Sequence, residues 1–129
     1  MSSSSLILIA HGSKDPRWRK PFERLLNSLQ KDLGEKNVFL SYMEFAEPTL
    51  MEAATKAVSA GATKMKVLPL FMAGGSHVDQ DIPPQVAAVQ KEFPQIEIEL
   101  LPPIGEHPKF VKLIGQVALE SASQPEEVR

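Results

Sequence analysis

Two of the three histidines in this sequence repeat one plan, and that plan is where its chemistry lies. His11 follows the apolar run Leu6-Ile7-Leu8-Ile9-Ala10 and leads into Gly12-Ser13. His77 follows a second run, Met65 to Phe71, and the loop Met72-Ala73-Gly74-Gly75-Ser76. Each is a strand-like segment that carries an imidazole at a glycine-rich tip. Imidazole is the commonest nitrogen ligand of first-row divalent metals and also titrates near neutral pH, so the pair could hold a metal or shuttle protons. For either histidine alone, a hydrogen-bonded loop residue is the plainer reading. Two matching tips favour a shared site.

A carboxylate lies within reach of the same plan. Glu44-Phe45-Ala46-Glu47-Pro48 closes a third apolar run, Val38 to Met43, and Glu47 could complete a two-histidine, one-carboxylate set as ligand or proton acceptor. The competing reading is a charge that favours the N-terminus of the helix beginning at Pro48. Glu44 is equally eligible, and pattern alone does not separate the two. Gly12-Ser13 and Gly74-Gly75-Ser76 offer backbone N–H groups near helix starts, suited to phosphates or carboxylates alike. Neither is a GxGxxG or P-loop sequence, which weakens a nucleotide reading. Lys14, Arg17, Arg19 and Lys20 surround Trp18 just after the first tip, as a solvated helix start or a basic rim. His107, between Gly105 and Pro108, reads as structural.

The elements that position these tips alternate. Asp15-Pro16 opens a helix expected from about Pro16 to Leu33, with Phe22, Leu25, Leu26, Leu29 and Leu33 as its apolar stripe, Pro21 allowing a late start, and Gly34 as its stop. Pro48-Thr49 opens a second helix, ending near Ala60, with Leu50, Met51, Ala54 and Val58 inward. Asp79, Asp81 and Pro83-Pro84 mark the entry to a third, whose Ile82, Val86, Val89 and Phe93 face the core. Ile96, Ile98 and Leu100 alternate with Glu97 and Glu99, the pattern of a half-exposed edge strand. A last helix from about Pro108 to Ser121 is expected to turn Phe110, Ile114 and Val117 inward, with a polar, frayed tail from about residue 122. Four short strand-to-helix repeats predict an α/β fold, an open four-stranded parallel sheet flanked by helices on both faces, in the flavodoxin-like order 2-1-3-4. That order puts a topological switch between strands 1 and 3, where such sheets bind ligands, and both histidine tips fall there.

Composition narrows the class. The 129 residues suit one domain, 1–129, and a net charge of -2 provides no basic field for nucleic acid or anionic lipid. Cysteine is absent, which removes disulfides, thiolate metal sites and a cysteine nucleophile. The first apolar run is too short for a membrane span and lacks the charged start of a signal peptide, so a cytoplasmic address is expected. A histidine phosphatase also begins with a strand-borne histidine-glycine pair, but it needs an arginine before the histidine, and here that residue is Ala10.

Taken together, His11-Gly12-Ser13, Met43 to Thr49, Leu68-Pro69-Leu70-Phe71 with His77, and Asp81-Ile82-Pro83 resemble the short, single-domain sirohydrochlorin chelatases, the small CbiX type of class II chelatase. The blocks occur in the family's order from Leu6 to about Ile114. The resemblance implies a chelatase-like fold and insertion of a divalent metal, cobalt first, or iron or nickel, into sirohydrochlorin without ATP, in cobalamin or siroheme-type biosynthesis. It makes His11 and His77 the metal pair, Glu47 a catalytic and substrate-binding carboxylate, and Phe71, Met72, Ala73, Gly74, Gly75 and Ser76 a loop that touches the macrocycle. The metal (Co2+, Fe2+ or Ni2+) is then a substrate and no permanent cofactor is needed. A homodimer enclosing the tetrapyrrole is also implied. The rival is a carrier of metal or tetrapyrrole with the same fold and no turnover.

Overall fold

The apolar runs become four strands, β1 (Ser4–Ala10), β2 (Val38–Tyr42), β3 (Lys64–Pro69) and β4 (Glu97–Leu100), in a computed structural model that describes residues 4–73 and 75–123, with the side chains of 76–79 excepted. All pairings are parallel, as the crossover lengths predict, and the order is β2-β1-β3-β4, the flavodoxin-like order expected. β1 is central because it is apolar on both faces: Ile7, Leu8, Ile9 and Ala10 are all at most 1% exposed. Its odd-numbered residues join one core cluster and its even-numbered residues another, the two-sided burial of a parallel sheet. β4 pairs only with β3, and its glutamates line the solvent side of the edge.

The helices are α1 (Lys20–Leu33), α2 (Leu50–Ser59), α3 (Ser76–Glu92) and α4 (Pro108–Ser123). α1 begins late, after a short 3-10 turn at Pro16–Trp18 capped by Asp15, and ends at Gly34 with φ 94°. Phe22, Leu26 and Leu29 pack it against the even face of the sheet, whereas Leu25 and Leu33 stay 40% and 45% exposed at the margins of the stripe. α2 starts at a full capping box, in which Thr49 and Glu52 each accept the other's backbone N–H. It buries Leu50, Ala53, Ala54 and Ala57, small residues that let it lie close to the odd face beside α3.

Two expectations need correction. Pro83-Pro84 does not open α3; the helix begins at Ser76 and runs through both prolines, which are exposed and so place their missing N–H bonds on the solvent side. α4 does not turn Phe110, Ile114 and Val117 into the core. None of its residues is buried, Ile114 and Val117 are 44% and 52% exposed, and it packs on the Ile104–Glu106 turn. Amphipathic periodicity marks which side of a helix is apolar but not what covers it. His107 does serve structure, its Nδ1 accepting the Lys109 N–H at the start of α4. The tail beyond residue 123 lies outside the described residues. Among the described residues no helix is long and apolar enough to cross a membrane.

Gly12 holds the tips together. Its φ is +90°, and a Cβ there would overlap the carbonyl oxygen of Glu44, so neither the conformation nor the approach admits a side chain. Gly12→Ala is therefore expected to lose about 2–4 kcal/mol of stability, measured as a lower denaturation midpoint at unchanged slope.

Candidate functional site at the strand tips

Backbone bonds carry the sheet one step past its strands and fix His11. Met43 N–H donates to the Ala10 carbonyl at 2.7 Å, Glu44 N–H to the His11 carbonyl at 3.1 Å, and Leu70 N–H to the Ile9 carbonyl at 2.9 Å. The β1, β2 and β3 tips are thus tied around one imidazole. His11 itself is exposed, with its ring resting on Phe71 at 4.2 Å between centroids and a 46° tilt. Phe71 is only 4% exposed, so it supports His11 from beneath and has no free face for a ligand. The β3 loop is held in turn by Gly105, whose N–H donates to the Phe71 carbonyl and whose missing side chain leaves room for the Met72 backbone.

His77 lies in the first turn of α3, at the same end of the sheet; its side chain and those of Ser76, Val78 and Asp79 are outside the described residues, as is Gly74. Met72, Ala73 and Gly75 are exposed on the loop between. Among the described residues no group of three or more metal-ligating side chains gathers.

The two glutamates part company at the β2 tip. Glu44 borders a cleft of about 270 Å³ shared with Gln80, Asp81, Pro84 and Gln85 of α3. Glu47 lines a groove of about 500 Å³ on the outer side of β2, with Glu23, Tyr42, Pro48 and Lys56. Strand alternation does not foretell this, because the chain bends after Tyr42 and Phe45 takes φ +65°.

Of the basic residues after β1, Arg17 is committed to Asp15 through a 2.7 Å ion pair and two further bonds at 3.1 Å. That guanidinium, and then the Arg17 backbone N–H, hold the Asp15 carboxyl below its ordinary range. Beside His11 a small recess of about 50 Å³ is walled by Trp18, Arg19, Phe22, Tyr42 and Leu70. The Tyr42 hydroxyl is buried and has no hydrogen-bond partner among the described residues. Burial pushes its pKa up, Glu23 adds to the rise and Arg19 offsets part of it, so the phenol stays neutral.

An open parallel sheet with a histidine at the tip of its central strand, tied to both neighbouring tips, matches a chelatase-type fold. Solved structures agree. A CbiX protein from Marinobacter aquaeolei VT8 superposes with a TM-score of 0.81 at 34% identity, over 95% of this chain and 99% of that one. The sirohydrochlorin chelatase SirB from Bacillus subtilis subspecies spizizenii, solved with cobalt, gives 0.79 at 24% identity over 92% of this chain and 50% of that one. The CbiX family model matches residues 5–121, and this chain belongs to the CbiX family. Among curated relatives, the sirohydrochlorin cobaltochelatase of Sulfurisphaera tokodaii is 32% identical over 86% of this chain and 88% of its own length. That of Methanocaldococcus jannaschii is 39% identical over 61% of this chain, and the match spans only 55% of that relative.

Because the Tyr42 hydroxyl is desolvated without a partner, Tyr42→Phe is expected to stabilise the fold by about 1 kcal/mol, read as a raised thermal midpoint.

Proposed function

We propose that this chain is a sirohydrochlorin chelatase, a lyase that inserts a divalent metal into sirohydrochlorin without ATP, in the cytoplasm, for cobalamin or siroheme-type biosynthesis. Cobalt comes first, with iron and nickel as alternatives. The observation that carries this reading is the near full-length similarity to a relative named sirohydrochlorin cobaltochelatase, in a chain whose central strand ends in an exposed histidine.

In this scheme the metal ion is a substrate and no resident cofactor takes part. His11 and His77 present the ion, neutral imidazoles being ligands a borderline divalent metal can leave. Insertion replaces two pyrrole N–H bonds by metal–nitrogen bonds and releases two protons, which require a nearby base. A carboxylate from the β2 tip is that base. Glu44 has the stronger support, since its backbone is bonded to His11 and it borders α3, whereas Glu47 faces the outer groove. Met72 to Ser76 form the loop against the macrocycle, with backbone N–H groups available to its carboxylates.

A time course of sirohydrochlorin absorbance with Co2+, Fe2+ or Ni2+ tests the reading. Metallation faster than the protein-free control supports it; equal rates leave a carrier at most. His11→Ala and His77→Ala should each lower kcat/KM about 100-fold or more with the fold intact. Glu44→Gln should do the same, and Glu47→Gln should stay near wild type; the reverse order would assign the base to Glu47.

The site is also proposed to be shared between two copies. α4 leaves Val111, Leu113, Ile114, Val117 and Leu119 between 44% and 72% exposed, and the SirB chain holds as much chain again beyond the half that superposes. A second copy against α4 would cover the side that carries Leu113, Ile114 and Val117. Light scattering should then report a dimer at micromolar concentration, and Val117→Glu a monomer.

A further inference from the structure

The resemblance assigns the macrocycle to the loop that begins at Phe71, yet Phe71 is buried beneath His11 and has no face to offer. An aromatic that does face outward at this end is Phe45. It is 61% exposed, and with Trp18 it is one of the two exposed aromatics among the described residues. Both stand on tip loops. Phe45 follows directly on Glu44, whose N–H is bonded to the His11 carbonyl, so its backbone is fixed to the same clamp that fixes the histidine.

Three features of Phe45 lack a structural reason. Core packing does not explain a phenyl ring left in solvent. Its φ of +65° belongs to the left-handed region, which glycine adopts freely and a bulky side chain resists, and among the described residues Phe45 is the single non-glycine residue there. The Lys14 ammonium, from the loop after β1, lies 5.6 Å from the ring centroid, and among the described residues Lys14 forms no ion pair. Local strain retained at a solvent-facing side chain is the kind of outlier that marks a ligand contact.

We propose that Phe45 and Lys14 together form the macrocycle platform of this site: the ring stacks on the flat apolar face of the tetrapyrrole and the ammonium pairs with a carboxylate at its edge. Resting on the chelatase reading above, this assigns substrate positioning to two residues outside the metal-ligating set. The chemistry matches. A flat conjugated ring with anionic side arms offers an apolar face and a charged margin side by side, and a phenyl carrying a cation over one side offers the same pair in complement. Met72, 64% exposed on the β3 loop, supplies a second soft apolar contact from the other flank of β1.

The test begins with wild-type binding of metal-free sirohydrochlorin, followed by absorbance, with insertion kinetics on the same protein. Phe45→Ala should raise the Kd and the KM for sirohydrochlorin about tenfold, while the KM for the metal ion stays within about twofold. Phe45→Tyr should restore binding. Phe45→Gly is the decisive variant, because glycine relieves the left-handed backbone: the thermal midpoint should hold or rise while tetrapyrrole binding falls as in Phe45→Ala. A purely structural Phe45 would move stability and binding together. Lys14→Ala should weaken binding and flatten its salt dependence, and Lys14→Arg should preserve both. Wild-type-like affinity in Phe45→Ala and Phe45→Gly, with the wild type active, overturns the platform and leaves the chelatase reading standing. A wild type that neither binds nor metallates sirohydrochlorin overturns both.

Discussion

Everything at the working end of this molecule depends on how the central strand is clamped between its neighbours after the regular ladder stops. Ala10 and His11 accept N–H bonds from Met43 and Glu44 on one side, and Ile9 accepts from Leu70 on the other. Those contacts need Gly12, because the Glu44 carbonyl occupies the place of a Cβ. Below the clamp, β1 is buried on both faces, with Ile7 and Ile9 in one core cluster and Leu8 and Ala10 in the other. The position of His11 is thus paid for by the core, and the tip loops need only add a few bonds.

The helices are unequal partners in this scheme. α2 and α3 complete the odd face with Ala53, Ala54, Ala57, Ile82 and Val89, and α3 also brings its first turn to the strand tips. α1 covers the even face with three apolar residues and contributes no fully buried side chain. α4 contributes least to the fold while being apolar enough to need cover. It exposes five large aliphatic residues, of which Leu113, Ile114 and Val117 share one side, the side on which the proposed second copy would rest.

How much of this can be read in advance follows from which signals are local. The parallel pairing and the two-sided burial of β1 are legible because unbroken apolar runs joined by short helices require crossover connections, which leave several strand orders open. The edge position of β4 is legible from the alternation of Ile96, Ile98 and Leu100 with glutamates. The start of α3 is not, since Pro83-Pro84 mimics a first turn and only burial of Ile82 shows which side the prolines face. The separation of Glu44 from Glu47 is hidden for a different reason: the bend after Tyr42 ends the period-2 rule, and a phenylalanine at φ +65° carries none of the glycine or asparagine signature of that conformation. The burial of Phe71 is not legible either, because the resemblance assigns it only to a loop at the macrocycle, while the bonds from Leu70 to Ile9 and from Gly105 to Phe71 fold it under His11.

The surroundings of His11 bear on the kind of ligand it could be. Metal sites built for retention set the second imidazole nitrogen against a carboxylate or carbonyl, which fixes the ring and raises its basicity. Here the ring rests on Phe71, and among the described residues none hydrogen-bonds it. An aromatic support fixes orientation by packing without strengthening the nitrogen as a donor. For the proposed role of His11 in passing a metal onward, that arrangement supplies direction: the tip clamp and the phenyl floor hold the ring by backbone bonds and packing. Under the proposed function, mutating Phe71 and mutating His11 therefore touch different quantities, the first the direction in which the imidazole points and the second whether an imidazole is present to take an ion.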